Sequence, residues 1–247
     1  MEDYLYFIYE TKIYITHLME LIAAISGSIY LSKTKEPEQA AVLCMKFLYS
    51  VLIIDLLGGY AGLAYFDNYE HFSLIKDTPF VRNEWYYNIA QVYFISMYSY
   101  LIRLQIEIRK FRKILKYLLI GFIVFCIINF FTSDHYFTDY LISNYILGSF
   151  LILTTVCLYF YEMLLSNKVL SFYKNLYFYI SVGIVLNLLM NMPINIYNTF
   201  VNQENDEFVK VFLATVRYSN ILMYTLFAVG FYLDYKNRDP VKSIAEI

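Results

Sequence analysis

Seven stretches of the chain stay apolar for about twenty residues at a time, at roughly 13–31, 40–62, 85–102, 114–131, 140–161, 174–194 and 211–232. A helix rises about 1.5 Å per residue, so each stretch is long enough to cross the roughly 30 Å hydrocarbon layer of a bilayer. The weakest are the first, interrupted by His17 and Glu20, and the second, which carries Lys46 and Asp55. Six spans is therefore the alternative count. Composition agrees with a lipid solvent: 60% of the 247 residues are hydrophobic and 16% charged. A soluble domain of this size must cover itself with polar surface, which this chain lacks. The expected fold is all-α, a single transmembrane bundle over residues 1–247 with the lipid bilayer as its principal partner. The opening Met1-Glu2-Asp3 lacks the basic start of a signal peptide, so the N-terminus is expected to be retained.

Loop charge supplies an orientation. Counted from an exterior N-terminus, the odd loops and the tail hold Lys33, Lys35, Arg103, Arg109, Lys110, Arg112, Lys113, Lys116, Lys168, Lys174, Lys236, Arg238 and Lys242. The N-terminus and the even loops hold only Lys12, Lys76, Arg82 and Lys210. The positive-inside rule then places the N-terminus outside, the C-terminus in the cytoplasm and the chain in the cell inner membrane. An odd number of spans is needed for this, and seven fits. Acids fall the other way, with Asp67, Glu70, Asp77 and Glu84 in the second loop and Glu204, Asp206 and Glu207 in the sixth. The 28 tyrosines and 21 phenylalanines crowd span ends such as Trp85-Tyr86-Tyr87, as an interfacial belt does.

Polar residues at membrane depth are costly against lipid and face the bundle interior. Glu20, Asp55, Gln91, Asn187 and Arg217 all lie about two helical turns below the exterior ends of their spans, with Asn191 and Asn144 nearer the surface. His17 and Glu20 share a helix face, as do Asn187 and Asn191, and Arg217 aligns with Asn220 and Tyr224. Lys46 is about 180° around its helix from Asp55 and is expected to snorkel to the cytoplasmic surface. Two readings follow. One is an exterior-facing cavity in which Arg217 is counter-ion to Glu20 or Asp55 and a small polar ligand or ion binds. The other is a structural ion pair with interhelical amide hydrogen bonds.

The segment from Arg103 through Glu107 to Arg109, Lys110, Arg112, Lys113 and Lys116 reads as a basic helical extension, able to hold anionic lipid or a cytoplasmic partner. Its charge is also sufficient to set topology. Gly58 and Gly62, like Ala23 and Gly27, have the spacing of close helix contact, with dimerisation as the other reading. Thr78-Pro79 reads as a cap followed by proline at the first helical position, and Pro193 is expected to kink or end its helix.

Catalysis finds no support in the motifs. His17, His71 and His135 lack metal-ligand spacing, the three cysteines lie in apolar stretches, and no nucleophile elbow or phosphate loop is present. The expectation is no enzyme, no metal, no cofactor and no nucleic-acid partner. The last span lacks both the lysine of a retinal protein and an N-P-x-x-Y motif. The run Lys76-Asp77-Thr78 through Arg82-Asn83-Glu84-Trp85-Tyr86-Tyr87-Asn88, followed by Tyr/Phe-rich spans, resembles uncharacterised seven-helix membrane proteins of AT-rich bacteria. That resemblance implies the helix count and no activity. A sensory or regulatory subunit signalling to a separate cytoplasmic protein is the expected role. A small transporter or channel is one alternative, and a membrane effector or scaffold of a larger system, such as a defence system, is another.

Overall fold

The computed structural model describes residues 2–198 and 206–238. Every regular element among them is helical: α1 (Glu2–Thr11), α2 (Ile13–Lys33), α3 (Gln39–Gly58), α4 (Tyr60–Phe66), α5 (Glu84–Leu104), α6 (Arg109–Thr132), α7 (Ile142–Leu164), α8 (Leu176–Asn198) and α9 (Asp206–Arg238), with short 3-10 turns at Pro79–Val81 and Asn167–Lys174. Six helices are long and apolar enough to cross a membrane: Ile13–Lys33, Gln39–Phe66, Arg109–Thr132, Ile142–Leu164, Leu176–Tyr197 and Glu207–Asn237. The seventh expected span does form a helix, α5, but five tyrosines, Asn88, Gln91, Ser96 and Ser99 leave it less apolar than the others.

Consecutive long helices run antiparallel, which gives the bundle two chemically different ends. Lys33, the Arg103–Lys116 cations and Lys236 gather where α2, α5, α7 and α9 finish, here the basic end. Asp67, Glu70, Asp77 and Glu84 gather at the opposite, acidic end. Close approach depends on small residues, as expected of helices that cannot rely on water to drive them together. Ala23 and Ala24 of α2 are fully buried, and a Cβ on Gly27 would lie 3.1 Å from both Met45 of α3 and Phe231 of α9. Between α8 and α9, a Cβ on Gly183 would meet the Met223 carbonyl at 3.2 Å, and one on Gly230 the Leu176 carbonyl at 3.2 Å. Gly58 packs directly on the Tyr87 ring, so it serves close contact with α5, whereas Gly62 lies against Tyr4.

Two carboxylates at the basic end hold helix starts. Glu162 of α7 accepts the backbone N–H groups of Glu107 at 2.6 Å and Ile108 at 3.0 Å, just ahead of α6. Asp234 of α9 accepts the Tyr30 hydroxyl at 2.7 Å and the Leu176 N–H at 3.5 Å at the start of α8. Initial N–H groups of a helix have no intrahelical acceptor, so each carboxylate fills a need that the chain leaves open.

Two local expectations change. The basic segment is not one continuous helix, because α5 ends at Leu104 and α6 begins at Arg109, with Ile106 fully buried in the turn between. Pro193 does not end α8, which continues to Asn198. The Thr78-Pro79 expectation holds: the Thr78 hydroxyl accepts the Phe80 N–H at 3.3 Å and caps the short 3-10 helix Pro79–Val81, which leads into α5. Of the charges used for orientation, Glu204 and Lys242 lie outside the described residues.

Candidate functional site: a carboxylate and aromatic cavity at the acidic end

A partly open cavity of about 350 Å³ lies among α3, α5, α7, α8 and α9. Its walls follow from helical spacing. On α5, Tyr87, Gln91, Phe94, Ile95 and Tyr98 recur at three or four residues and form one stripe. On α9, Asn220, Met223 and Tyr224 do the same. α7 contributes Tyr145 and, about 15 Å deeper than Ile142 by helical rise, Ile152. Asp55 of α3 with Asn187 and Asn195 of α8 complete the polar lining, while Val51, Ile95, Ile152 and Ile184 supply apolar surface toward the basic end.

Behind Asp55 stands the most buried acid of the set. Glu20 is 1% exposed, its Oε2 lies 3.4 Å from His17 Nδ1, and its neighbours include the Asp55 carboxyl and the Tyr224 hydroxyl. Its Oε1 makes no hydrogen bond of ordinary geometry. Two adjacent carboxyls repel when both are charged, and a proton or a cation between them relieves the repulsion.

The predicted polar layer is thus partly assembled. Asp55, Gln91 and Asn187 line the cavity, and Glu20 with His17 forms the layer behind it. Asn187 also donates to Asn220 Oδ1 at 2.9 Å, and Asn191 to Ser219 Oγ at 2.8 Å, so Asn191 ties α8 to α9 and does not line the cavity. Arg217 is placed elsewhere. Its guanidinium donates to the Thr11 carbonyl at 3.3 Å, at the junction of α1 and α2, and lies over the Tyr218 ring. Among the described residues it forms no ion pair with Glu20 or Asp55, because its guanidinium is turned to the Thr11 carbonyl and the Tyr218 ring. Lys46 is exposed at the basic end, away from Asp55.

Sequence reasoning missed the aromatic contribution by assigning the tyrosines to the membrane interface. The available signal was the α5 stripe, where Gln91 stands between Tyr87 and Tyr98 on one face. It also missed Asn88, 1% exposed, which clamps the α6–α7 loop. Its Nδ2 donates to the Tyr136 and Asp139 carbonyls, both at 3.0 Å, and its Oδ1 accepts the Leu141 N–H at 2.9 Å. That clamp holds Tyr140, Leu141 and Ile142, which form the wall between the cavity and a second basin of about 540 Å³ at the acidic surface. In this basin Arg82 pairs with Glu84 at 2.6 Å, and that bond raises the guanidinium above its ordinary value.

On the exposed 67–71 turn, Asp67, Glu70 and His71 bring potential ligand atoms within 4.8 Å of one another. Asp67 is already engaged there by the His71 backbone N–H at 2.8 Å and by the His71 ring. At the basic end, Arg109, Lys110, Arg112, Lys113 and Lys116 are all exposed on the first turns of α6, while Arg103 bonds the Arg112 carbonyl at 2.9 Å.

Fold and site define a class: an all-α chain with six helices suited to a membrane and a polar cavity let into one end of the bundle. Comparisons with known protein families, with curated proteins and with solved structures found no match to this chain.

Proposed function

We propose that the chain is an integral protein of the bacterial inner membrane with seven spans, a cytoplasmic C-terminus and an outward-facing binding cavity, and that it reports occupancy of that cavity to a separate cytoplasmic protein. Support for counting α5 as a span comes from its 21 residues, about 31 Å by helical rise, and from its packing among α3, α6 and α7. Its polar residues fall largely on the cavity stripe or in buried contacts, so they lower its hydropathy without facing lipid. The distribution of lysine and arginine between the two ends supports the orientation. Resemblance to uncharacterised seven-helix proteins of AT-rich bacteria agrees with the count.

The observation that carries the functional reading is the cavity itself. It joins carboxylate, amide and tyrosine groups at the acidic end and has apolar residues toward the basic end. This lining suits binding better than conduction, which requires polar groups along the whole path. No residue set in it suggests a reaction, and we read it as a binding site. Output is assigned to the exposed cations of α6, through which a cytoplasmic protein or the anionic lipid surface is engaged. Cross-linking pull-down from native membranes tests this reading. Wild type should recover a cytoplasmic protein that is lost when Arg109, Lys110, Arg112 and Lys113 are changed to glutamine. An unchanged pull-down from a correctly inserted variant, or ion flux in proteoliposomes abolished by Asp55→Asn, would displace it in favour of a scaffold or a transporter respectively.

A further inference from the structure

We infer that the ligand of this cavity is a small organic cation, a protonated amine or quaternary ammonium, held between the Asp55 carboxylate and a box of aromatic faces. The inference rests on the binding-cavity reading above and adds the ligand's chemical class. Tyr87, Phe94, Tyr98, Tyr145 and Tyr224 all contribute to the wall, and among the described lining residues none is lysine, arginine or histidine. Aromatic faces carry negative potential, and a cation within about 6 Å of a ring centre is attracted most strongly when water is excluded. Two carboxyl groups stand here, Asp55 in the wall and the buried Glu20 beside it, whose Oε1 makes no hydrogen bond of ordinary geometry among the described residues, and a cation arriving there favours their charged form.

Other classes fit less well. An anion would face two carboxyls with no cation in the wall to receive it. A wholly apolar molecule would strip water from Asp55 and Gln91 and return no hydrogen bond, at a cost that apolar contact does not recover. Calcium and magnesium take six or more oxygen ligands and zinc favours histidine and cysteine, and a wall that is largely aromatic and aliphatic, with neither histidine nor cysteine among its described residues, suits none of them. A volume of about 350 Å³ stands at the low end for ligand sites, which restricts the occupant to a small molecule. Gln91, which makes no hydrogen bond among the described residues, can accept from an ammonium N–H or orient a hydroxyl of the ligand.

Three probes of similar size and different charge test this: tetramethylammonium, tert-butanol and pivalate. Binding is read by saturation-transfer NMR on the full chain in lipid nanodiscs at neutral pH. Tetramethylammonium should bind, and the other two should bind at least roughly tenfold more weakly. Asp55→Asn and Tyr145→Leu should each weaken the cation by roughly tenfold, whereas Gln91→Glu, which adds a carboxylate to the wall, should tighten it. The gain in Gln91→Glu cannot arise from misfolding, so the inference stays testable if Asp55→Asn is poorly folded. Equal or tighter binding of tert-butanol or pivalate would overturn the cation assignment and leave a binding cavity. Absence of binding by all three to wild type would overturn both.

Discussion

At the scale of single residues, side chains with several simultaneous partners carry more consequence than those with the most charge. Asn88 satisfies three backbone groups of the 136–141 loop with one amide, and truncation would leave buried polar groups unpaired. Asn88→Ala should therefore destabilise the protein by about 2–4 kcal/mol. A lowered unfolding midpoint in detergent would show it, together with faster hydrogen exchange at Leu141. Asp67 gives a pH dependence outside the membrane. The His71 backbone N–H holds its carboxyl below the ordinary range, and the His71 ring adds to this. Because folding lowers the value, the contribution is complete above about pH 4, the ordinary value, and fades as pH falls through the lowered one. Carbon-detected titration should place the Asp67 midpoint below that of an unstructured aspartate, and His71→Ala should raise it only part of the way, since the backbone donor remains. Arg217 illustrates the limit of reading depth alone: depth grouped it with Glu20 and Asp55, but its guanidinium goes to the Thr11 carbonyl at the junction of α1 and α2.

Among elements, the α5–α6 junction shows how a helix start can be specified from a distant part of the chain. Five exposed cations in the first turns of α6 oppose the helix dipole, which prefers negative charge there. Glu162, over fifty residues away in sequence, supplies that negative charge and accepts the Glu107 and Ile108 N–H groups just ahead of the helix. Glu162→Ala should cost about 1–3 kcal/mol and speed hydrogen exchange at Glu107 and Ile108, whereas Glu162→Gln, which keeps one acceptor oxygen, should lose less. Helix positions were largely visible from apolar runs, as in the agreement between 13–31 and α2. The break at 105–108 was not visible, because the local residues permit a continued helix and the reason for stopping lies in α7. α8 shows the converse. Pro193 carries a local instruction to stop, yet the helix continues to Asn198, with the proline forfeiting a single backbone hydrogen bond, the one its missing N–H would make to the Leu189 carbonyl.

For the whole molecule, topology is the property most open to a decisive measurement. Cysteine substitution at exposed positions, labelled from either side of intact cells, should find Glu70 and His135 accessible from outside and Lys110 from inside, with Cys44, Cys126 and Cys157 replaced beforehand. Labelling of residue 70 and residue 110 from the same side would remove α5 from the membrane and reduce the count to six. By itself the sequence determined that the chain is helical, that lipid can be its solvent, and that its charges divide between two ends. These properties depend on hydropathy summed over about twenty residues, and tertiary contacts do not alter the sum. Only the tertiary structure decided which polar residues meet. Asp55, Gln91, Asn187 and six aromatic side chains become one cavity because α3, α5, α7, α8 and α9 are rotated to face one another, while the same packing turns Asn191 to Ser219 and Arg217 to the rim. Helix rotation is set by small-residue contacts such as Gly183 and Gly230, which involve residues distant in sequence, so no local pattern in the chain encodes it.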